Sequence, residues 1–570
     1  MSTPWSWYPG PAFPDTVVAD PARTWKRKFW GSEHAFARPA QVTPGRADII
    51  VACDISGCPG VTHAHVRAAM RALRFEHPNI AATMAWSADQ AEGRFQYEAP
   101  AGEEQVRGWL DAVVVPRGGL VREGVDVRAA IEVLSSELSH ARAPRTPDQF
   151  KLYHLLPSPA APDEHGFLLY MKHSLFDGVA AWQALDCFLH ELSTILGRAA
   201  RGEPEATALE WGTEHARLAR PVSDRVDKPW APADMHADWP TVTRMTDVLS
   251  RPTTSFGLPD NPAGTEGAST CLARAFPPPT TQRLLRAARA HAVRLFAVQW
   301  ASVLLACMRL SPPATSAGEV RVVAPFTPVN LRARLATRGR AELVSALGFG
   351  ALEARDLGRF RAAVVEGGDV GLVGAVWTLA GEIQAQLAEQ ESWHDDAVRY
   401  APGALQALGK FFADPPPPVP LRTPGVTNFG VIDSLLSPSY PVSDTQALTV
   451  THAIFHNVHF HYCEQLFQSM LHAYTWRGTL YYTLAFAEGY AGESGGTGRE
   501  GRTLLKLVDE IERITYLLAA EDGAVEKCAA RPSPGRRAQQ IMAIGAHIDT
   551  NHFIYSIIVI LLAILIYLTR

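Results

Sequence analysis

Tyr170-Met171-Lys172-His173-Ser174-Leu175-Phe176-Asp177-Gly178 decides how this chain is read. The apolar run Phe167 to Met171 leads into it and has the look of a strand. After it, Ala181, Leu185, Phe188, Leu189, Leu192 and Leu196 recur at helical spacing, and Gly197 offers a stop. A strand, a short loop and a helix are therefore expected, which is where α/β folds place reactive side chains. Chance puts His-x-x-x-Asp-Gly into a chain of this composition only about 0.07 times. A neutral imidazole on such a loop can take a proton from an alcohol as it attacks a carbonyl. An Asp four residues on can turn back and hold the loop through a buried ion pair rather than join the proton transfer.

The same pattern recurs upstream. DIIVACDIS reads as a strand, and Val66, Met70 and Leu73 mark an amphipathic helix that Pro78 stops. RPTTSFGLPDNPAGTEG, residues 251–267, is rich in turn formers and reads as a linker between two lobes, 1–250 and 268–520. The second lobe opens with the strand CLARAF and one long helix from Thr281 to about Leu310. VRVVAPFTPVNLR, LTVTHAIFHNVHFHY and TWRGTLYYTLAF follow as strands, Pro415 to Pro418 as a rigid surface loop, and Thr503 to Leu518 as a closing helix. The fold class is mixed α/β (α+β).

Composition narrows the function. Among 570 residues, 47% are hydrophobic and 19% charged, the usage of a folded protein. A net charge of -5 without a long basic block gives no footprint for nucleic acid. Seven scattered cysteines without CxxC pairing point to free thiols and against zinc. His452, His456, His459 and His461 form a tempting cluster, but on one strand they split between two faces, so no metal site is assigned. Trp5, Trp7, Tyr8 and Trp25 are expected to pack locally.

The N-terminus lacks the basic and apolar regions of a secretory signal. At the other end Phe553 to Leu568 is an uncharged apolar run with six Ile and four Leu. Inserting it into a bilayer is worth roughly -4 to -7 kcal/mol. It reads as a transmembrane tail anchor, matched to a thin bilayer such as the endoplasmic reticulum, joined by a tether at 521–552. Arg531, Arg536 and Arg537 precede the run, so the lobes are expected on the cytosolic side.

With these residues in view, the chain resembles the His-x-x-x-Asp-Gly acyltransferases. That superfamily includes plant acyl-CoA-dependent acyltransferases, condensation domains of peptide synthetases, chloramphenicol acetyltransferase and fungal secondary-metabolite O-acyltransferases, the last being the nearest in character. The resemblance covers roughly residues 45–520. It implies two chloramphenicol-acetyltransferase-like αβ lobes around a tunnel, with His173 as general base and Asp177 turned away to pair with an arginine. Val329-Asn330-Leu331-Arg332-Ala333-Arg334 is similar to a family segment and nominates Arg332, with Arg334 behind it. Thr427-Asn428-Phe429-Gly430-Val431-Ile432-Asp433 stands where the family carries a glycine-containing loop, which nominates Asn428 as a donor and Gly430 for close backbone approach. Lys172 stands where condensation domains usually carry a further histidine, and no carrier-domain motif occurs. The resemblance thus implies a free-standing acyltransferase that carries an acetyl or longer acyl group from acyl-CoA as co-substrate, with no cofactor, to a hydroxyl of a small molecule; a monomer is expected, and the membrane tail favours a lipophilic acceptor such as a terpenoid, polyketide, sterol or glycolipid. Two alternatives remain open: a catalytically silent binding protein on this fold, and a detached condensation domain with a carrier-bound donor.

Overall fold

The computed structural model describes residues 3–521, except 140–147, 205–207, 227–229, 251–255, 259–268, 314–319, 336–341, 403–422, 458–468 and 488–500 and the positions 15, 17, 43, 46, 59, 91, 123, 124, 160, 237, 238, 394 and 395. The run ahead of the motif is the strand His165–Met171, buried along its whole length. A strand buried on both faces reads as continuous apolar sequence, and it occupies the interior of a six-stranded sheet. In spatial order the sheet runs Ser439–Pro441, Ala447–Asn457, Ile49–Ser56, His165–Met171, Phe150–Leu155 and Val114–Arg117. The last pair is parallel and the others antiparallel, with Cys53 opposite Phe167. Helices His63–Glu76 and Gly178–Ala200 cover one face, their Val66, Met70, Leu73, Leu185, Phe188 and Leu192 joining one apolar core with Val51, Cys53, Phe167 and Leu169.

A second sheet runs Gly425–Val431, Ser469–Trp476, Thr479–Ala487 and Ser269–Phe276. Its central hairpin turns on Arg477 and Gly478, both at positive φ (51° and 75°), the geometry a two-residue hairpin turn demands. Helices Pro278–Ala290, Leu295–Leu310, Gly368–Glu391 and Gly501–Ala520 close a separate core against it. A two-stranded ribbon, Val322–Asn330 with Leu347–Ala354, and a four-stranded sheet that includes Thr24–Lys28 and Gly93–Glu98 complete the described architecture.

Four expectations need correction. The strand Ala447–Asn457, placed by sequence in the second lobe, pairs with Ile49–Ser56 and so completes the first lobe's sheet; the division at 251–267 does not separate the lobes cleanly. The single helix from Thr281 to Leu310 is two helices that meet at 97°. The first ends with Ala292 at φ +54° and a Val293 N–H to Ala288 C=O bond of 3.0 Å, a left-handed cap built without glycine. Gly197 does not stop its helix, which runs to Ala200; a β-carbon there would lie 2.7 Å from the Val442 carbonyl oxygen, so this glycine serves close packing. The aromatic start packs against residues remote in sequence: Trp5 on Trp230, Trp25 on His215, and Trp7 Nε1 donating to the Ala219 carbonyl.

Cys53, Cys58, Cys187, Cys271 and Cys307 are free thiols, while Cys463 and Cys528 lie outside the described residues. Most of 251–267, the loop Pro415 to Pro418, the tether from 522 on and the apolar run Phe553 to Leu568 also lie outside them. Among the described residues no single helix is long and apolar enough to cross a membrane.

Candidate active site

The motif loop leaves the strand at Met171 and enters the helix at Gly178. Asp177 is the N-cap: its Oδ1 accepts the Ala180 amide at 2.8 Å, which fixes where the helix starts. The same carboxylate is fully buried and accepts three further bonds. Arg332 Nη1 donates to Oδ2 at 2.7 Å and Nη2 to Oδ1 at 2.9 Å, a bidentate pair, and the Ala346 amide donates to Oδ2 at 2.7 Å. Burial pushes this carboxyl up, but the Arg332 guanidinium and the two amides outweigh it and hold the pKa below the ordinary carboxylate value. Asp177 is thereby committed to structure. The pairing with Arg332 anticipated from sequence is present. Arg332 also donates to the Val344 carbonyl at 2.7 Å, and the Ser345 amide donates to Leu175 C=O at 2.7 Å, so the segment after the ribbon's first strand stitches the motif loop in place. Arg334 follows on the same short 3-10 turn, Leu331–Arg334, and is not part of this pair.

His173 lies in the same loop, four residues ahead of Asp177. It keeps partial exposure, yet its Nδ1 is buried without a hydrogen-bond partner, which leaves Nε2 as the nitrogen an incoming group can meet. Burial pushes the imidazole pKa below its ordinary value, opposed in part by main-chain groups of His173 and Phe176 and by the Asp177 and Asp48 carboxylates. The ring is therefore neutral near pH 7, the form a general base requires. Next to it Lys172 is buried against Asp48, its Nζ donating to Oδ2 at 2.7 Å, and the Tyr170 hydroxyl donates to the same oxygen at 2.8 Å.

Gly178 and Gly430 are brought to neighbouring stretches of backbone, but for different reasons. A β-carbon on Gly178 would stand 2.1 Å from Phe429 Cε1, so the motif glycine makes room for the aromatic ring of the second landmark. Gly430 sits at φ +74°, where L side chains are strained. Asn428 belongs to the strand Gly425–Val431 rather than to a loop ahead of it. Its Oδ1 accepts the Gly430 amide at 2.6 Å and its Nδ2 donates to Gln299 Oε1 at 2.7 Å, ties that shape the bend in the chain.

Sequence reasoning missed three participants. Phe36 stacks on the His173 ring, Asp48 neutralises Lys172, and the amide of Ala346 completes the Asp177 cradle. The first two lie more than a hundred residues from the motif, and the third is a backbone group, which no side-chain pattern reports. Of the histidine cluster, His452 lies opposite Asp54 in the strand Ala447–Asn457, His456 is opposite Ile50, and His459 and His461 lie outside the described residues. Among the described residues no group of three or more His, Cys, Asp or Glu is placed to hold a metal ion.

Comparison with known proteins finds that the family described as 15-O-acetyltransferase Tri3 matches residues 16–343, more than half of the chain. The trichothecene O-acetyltransferase TRI3 of Trichoderma arundinaceum is 31% identical over 161 residues, 27% of this chain and 30% of that protein. The match therefore spans less than a third of the curated relative's length. The solved structure of TRI3 trichothecene 15-O-acetyltransferase from Fusarium sporotrichioides superposes with a TM-score of 0.73 over 90% of this chain and 97% of that one, at 14% identity. The first condensation domain of the calcium-dependent antibiotic synthetase reaches 0.53 over 87% and 96%, at 12% identity. At these identities the superpositions show a shared fold, that of the condensation-domain and chloramphenicol-acetyltransferase-like enzymes.

Proposed function

Since the chain belongs to the 15-O-acetyltransferase Tri3 family, we propose that it transfers an acetyl group, or a related short acyl group, from acyl-CoA to a hydroxyl of a trichothecene-like terpenoid or similar lipophilic metabolite. His173 Nε2 takes the hydroxyl proton as the oxygen attacks the thioester carbonyl. The tetrahedral intermediate then collapses, the C–S bond breaks, and the proton on His173 passes to the departing thiolate, which restores the neutral base. The enzyme forms no covalent bond. Both substrates meet in the seam between the lobes, where the motif loop touches the ribbon and the strand that carries Asn428.

One observation carries this reading: Asp177 spends both oxygens on Arg332, Ala180 and Ala346, while the neutral His173 keeps partial exposure. A base is offered and its neighbour is structural. The buried Lys172–Asp48 pair occupies the position of a second condensation-domain histidine, which favours a free acyl-CoA over a carrier-bound donor. The test is incubation of the purified protein with acetyl-CoA and a trichothecene alcohol, with product read by mass spectrometry. An acetyl ester and stoichiometric free CoA support the reading. Turnover with an acyl carrier but not with acetyl-CoA favours the carrier-bound alternative, and no turnover with either favours a silent binding protein.

A further inference from the structure

The helix Gly31–Val42 enters the fold on a buried anchor. Arg27 Nη1 and Nη2 donate to the two Glu33 carboxylate oxygens at 2.5 and 2.6 Å, and the Trp30 amide donates to Glu33 Oε2 at 2.8 Å. Ser32 and Ser345 hydroxyls, 2.9 Å apart, tie the same turn to the segment that cradles Asp177. One turn further on, Phe36 lies flat against the catalytic imidazole, with ring centroids 3.6 Å apart and planes 10° from parallel. Phe349 of the ribbon also lies near Phe36, its ring centroid 6.3 Å away and its plane tilted by 51°. Neither ring of the Phe36–His173 stack forms part of the large apolar cores. Nδ1 of His173 is buried, main-chain groups of His173 and Phe176 lie near the ring, and the phenyl ring of Phe36 covers one face of the imidazole.

We propose that Phe36 is a positioning residue for His173, its phenyl ring fixing the imidazole plane and sealing one face so that proton transfer runs in the ring plane through Nε2. The inference rests on the reading of His173 as the base. A proton moves to a nitrogen lone pair that lies in the ring plane, so rotation of that plane misaims the base, and misplacement of this order lowers rates by about 10- to 100-fold. A leucine is smaller and has no flat face, so it neither holds the plane nor seals that side of the ring from water. The charged groups around the imidazole are Asp177, paired with Arg332, and Asp48, paired with Lys172, and changing Phe36 alters none of them.

The test uses the full chain as Phe36→Leu and Phe36→Tyr, with His173→Ala as reference. Steady-state kinetics with acetyl-CoA is paired with NMR of ¹³C-labelled histidine, His173 being assigned by its loss in His173→Gln. Phe36→Leu is expected to melt like the wild type and keep KM for acetyl-CoA. Its kcat falls about 10- to 100-fold, and its His173 titration midpoint rises toward the ordinary value as water reaches the ring. Phe36→Tyr restores both. Wild-type kcat in Phe36→Leu overturns the inference, with or without a shifted midpoint, and so does failure of Phe36→Tyr to restore it. If His173→Ala also turns over normally, the reading of the base fails and the inference falls with it; if His173→Ala is dead while Phe36→Leu is normal, the inference alone fails.

Discussion

A β-carbon added to Gly178 would lie 2.1 Å from Cε1 of Phe429, so the last residue of the motif and the aromatic ring of the second landmark share one space. Phe429 is itself edge-packed on Phe455 at 4.5 Å and cannot simply withdraw. Gly178→Ala is therefore expected to destabilise the fold by about 1–3 kcal/mol through overpacking, and to lower turnover by displacing the motif loop. Adding Phe429→Leu should recover much of the loss. Denaturant melts of the two single variants and the double variant check the coupling, and additive effects would contradict it.

Arg332→Met should cost about 3–5 kcal/mol, because it leaves the fully buried Asp177 carboxylate uncompensated, and Asp177→Asn should cost less, because Arg332 is only partly buried. Their effects should not add, since both break the same pair. The carboxyl is held below its ordinary value, so its contribution is fully present above about pH 4 and is lost as pH falls toward the folded value. Wild-type stability in both variants would show that the pair holds nothing.

A row of imidazoles sets a second acid limit. His154, fully buried, has its Nε2 3.1 Å from His165 Nδ1 and its Nδ1 3.5 Å from His63 Nδ1. Burial, joined by the mutual repulsion of the rings, pushes His154 down to about 3; burial, against the nearby Asp163, pushes His165 down to about 4. Both pKa values lie below the unfolded value of about 6.5. The neutral forms therefore stabilise the fold above that pH, and the benefit is lost as pH falls below it. Each ring contributes a slope of at most about 1.4 kcal/mol per pH unit between about 6.5 and its folded value. Chemical melts at pH 7, 6 and 5 should show this decline, and a His154→Phe, His165→Phe double variant should show a flatter one. Equal slopes would contradict the assignment.

The strand, loop and helix around His173 were legible because a buried strand is continuously apolar and a buried helix repeats at 3.6 residues. Arg332 was legible through resemblance. Other features were not, for reasons of distance and chemistry. The registry of Ala447–Asn457 on Ile49–Ser56 joins segments about four hundred residues apart, and nothing in either pattern names its partner. The break at Ala292 uses a left-handed alanine, so the glycine that usually announces such an end is missing. Phe36 reads in sequence as one more apolar residue, and its role exists only where the helix Gly31–Val42 meets the motif loop.

The apolar run Phe553 to Leu568 is proposed as a membrane anchor. A chain ending at Asp522 keeps the helix Gly501–Ala520 and the Trp377 Nε1 to Glu521 bond of 2.5 Å, so it should stay folded and retain activity on a water-soluble acceptor. The full chain should stay with membranes in alkaline carbonate. Release by carbonate or high salt would refute a span and leave an interfacial segment.

The most direct test of the account is acetyl transfer by His173→Ala, measured as product ester per enzyme from pH 5 to 8 beside the wild type. The wild-type kcat/KM should be flat at neutral pH and fall as the base is protonated, with a midpoint below the ordinary histidine value because burial lowers it. The variant, with an unchanged melting curve, should lose at least about 100-fold and show no such limb. A folded His173→Ala protein that turns over at near wild-type rate, with the acid limb intact, would contradict the central claim.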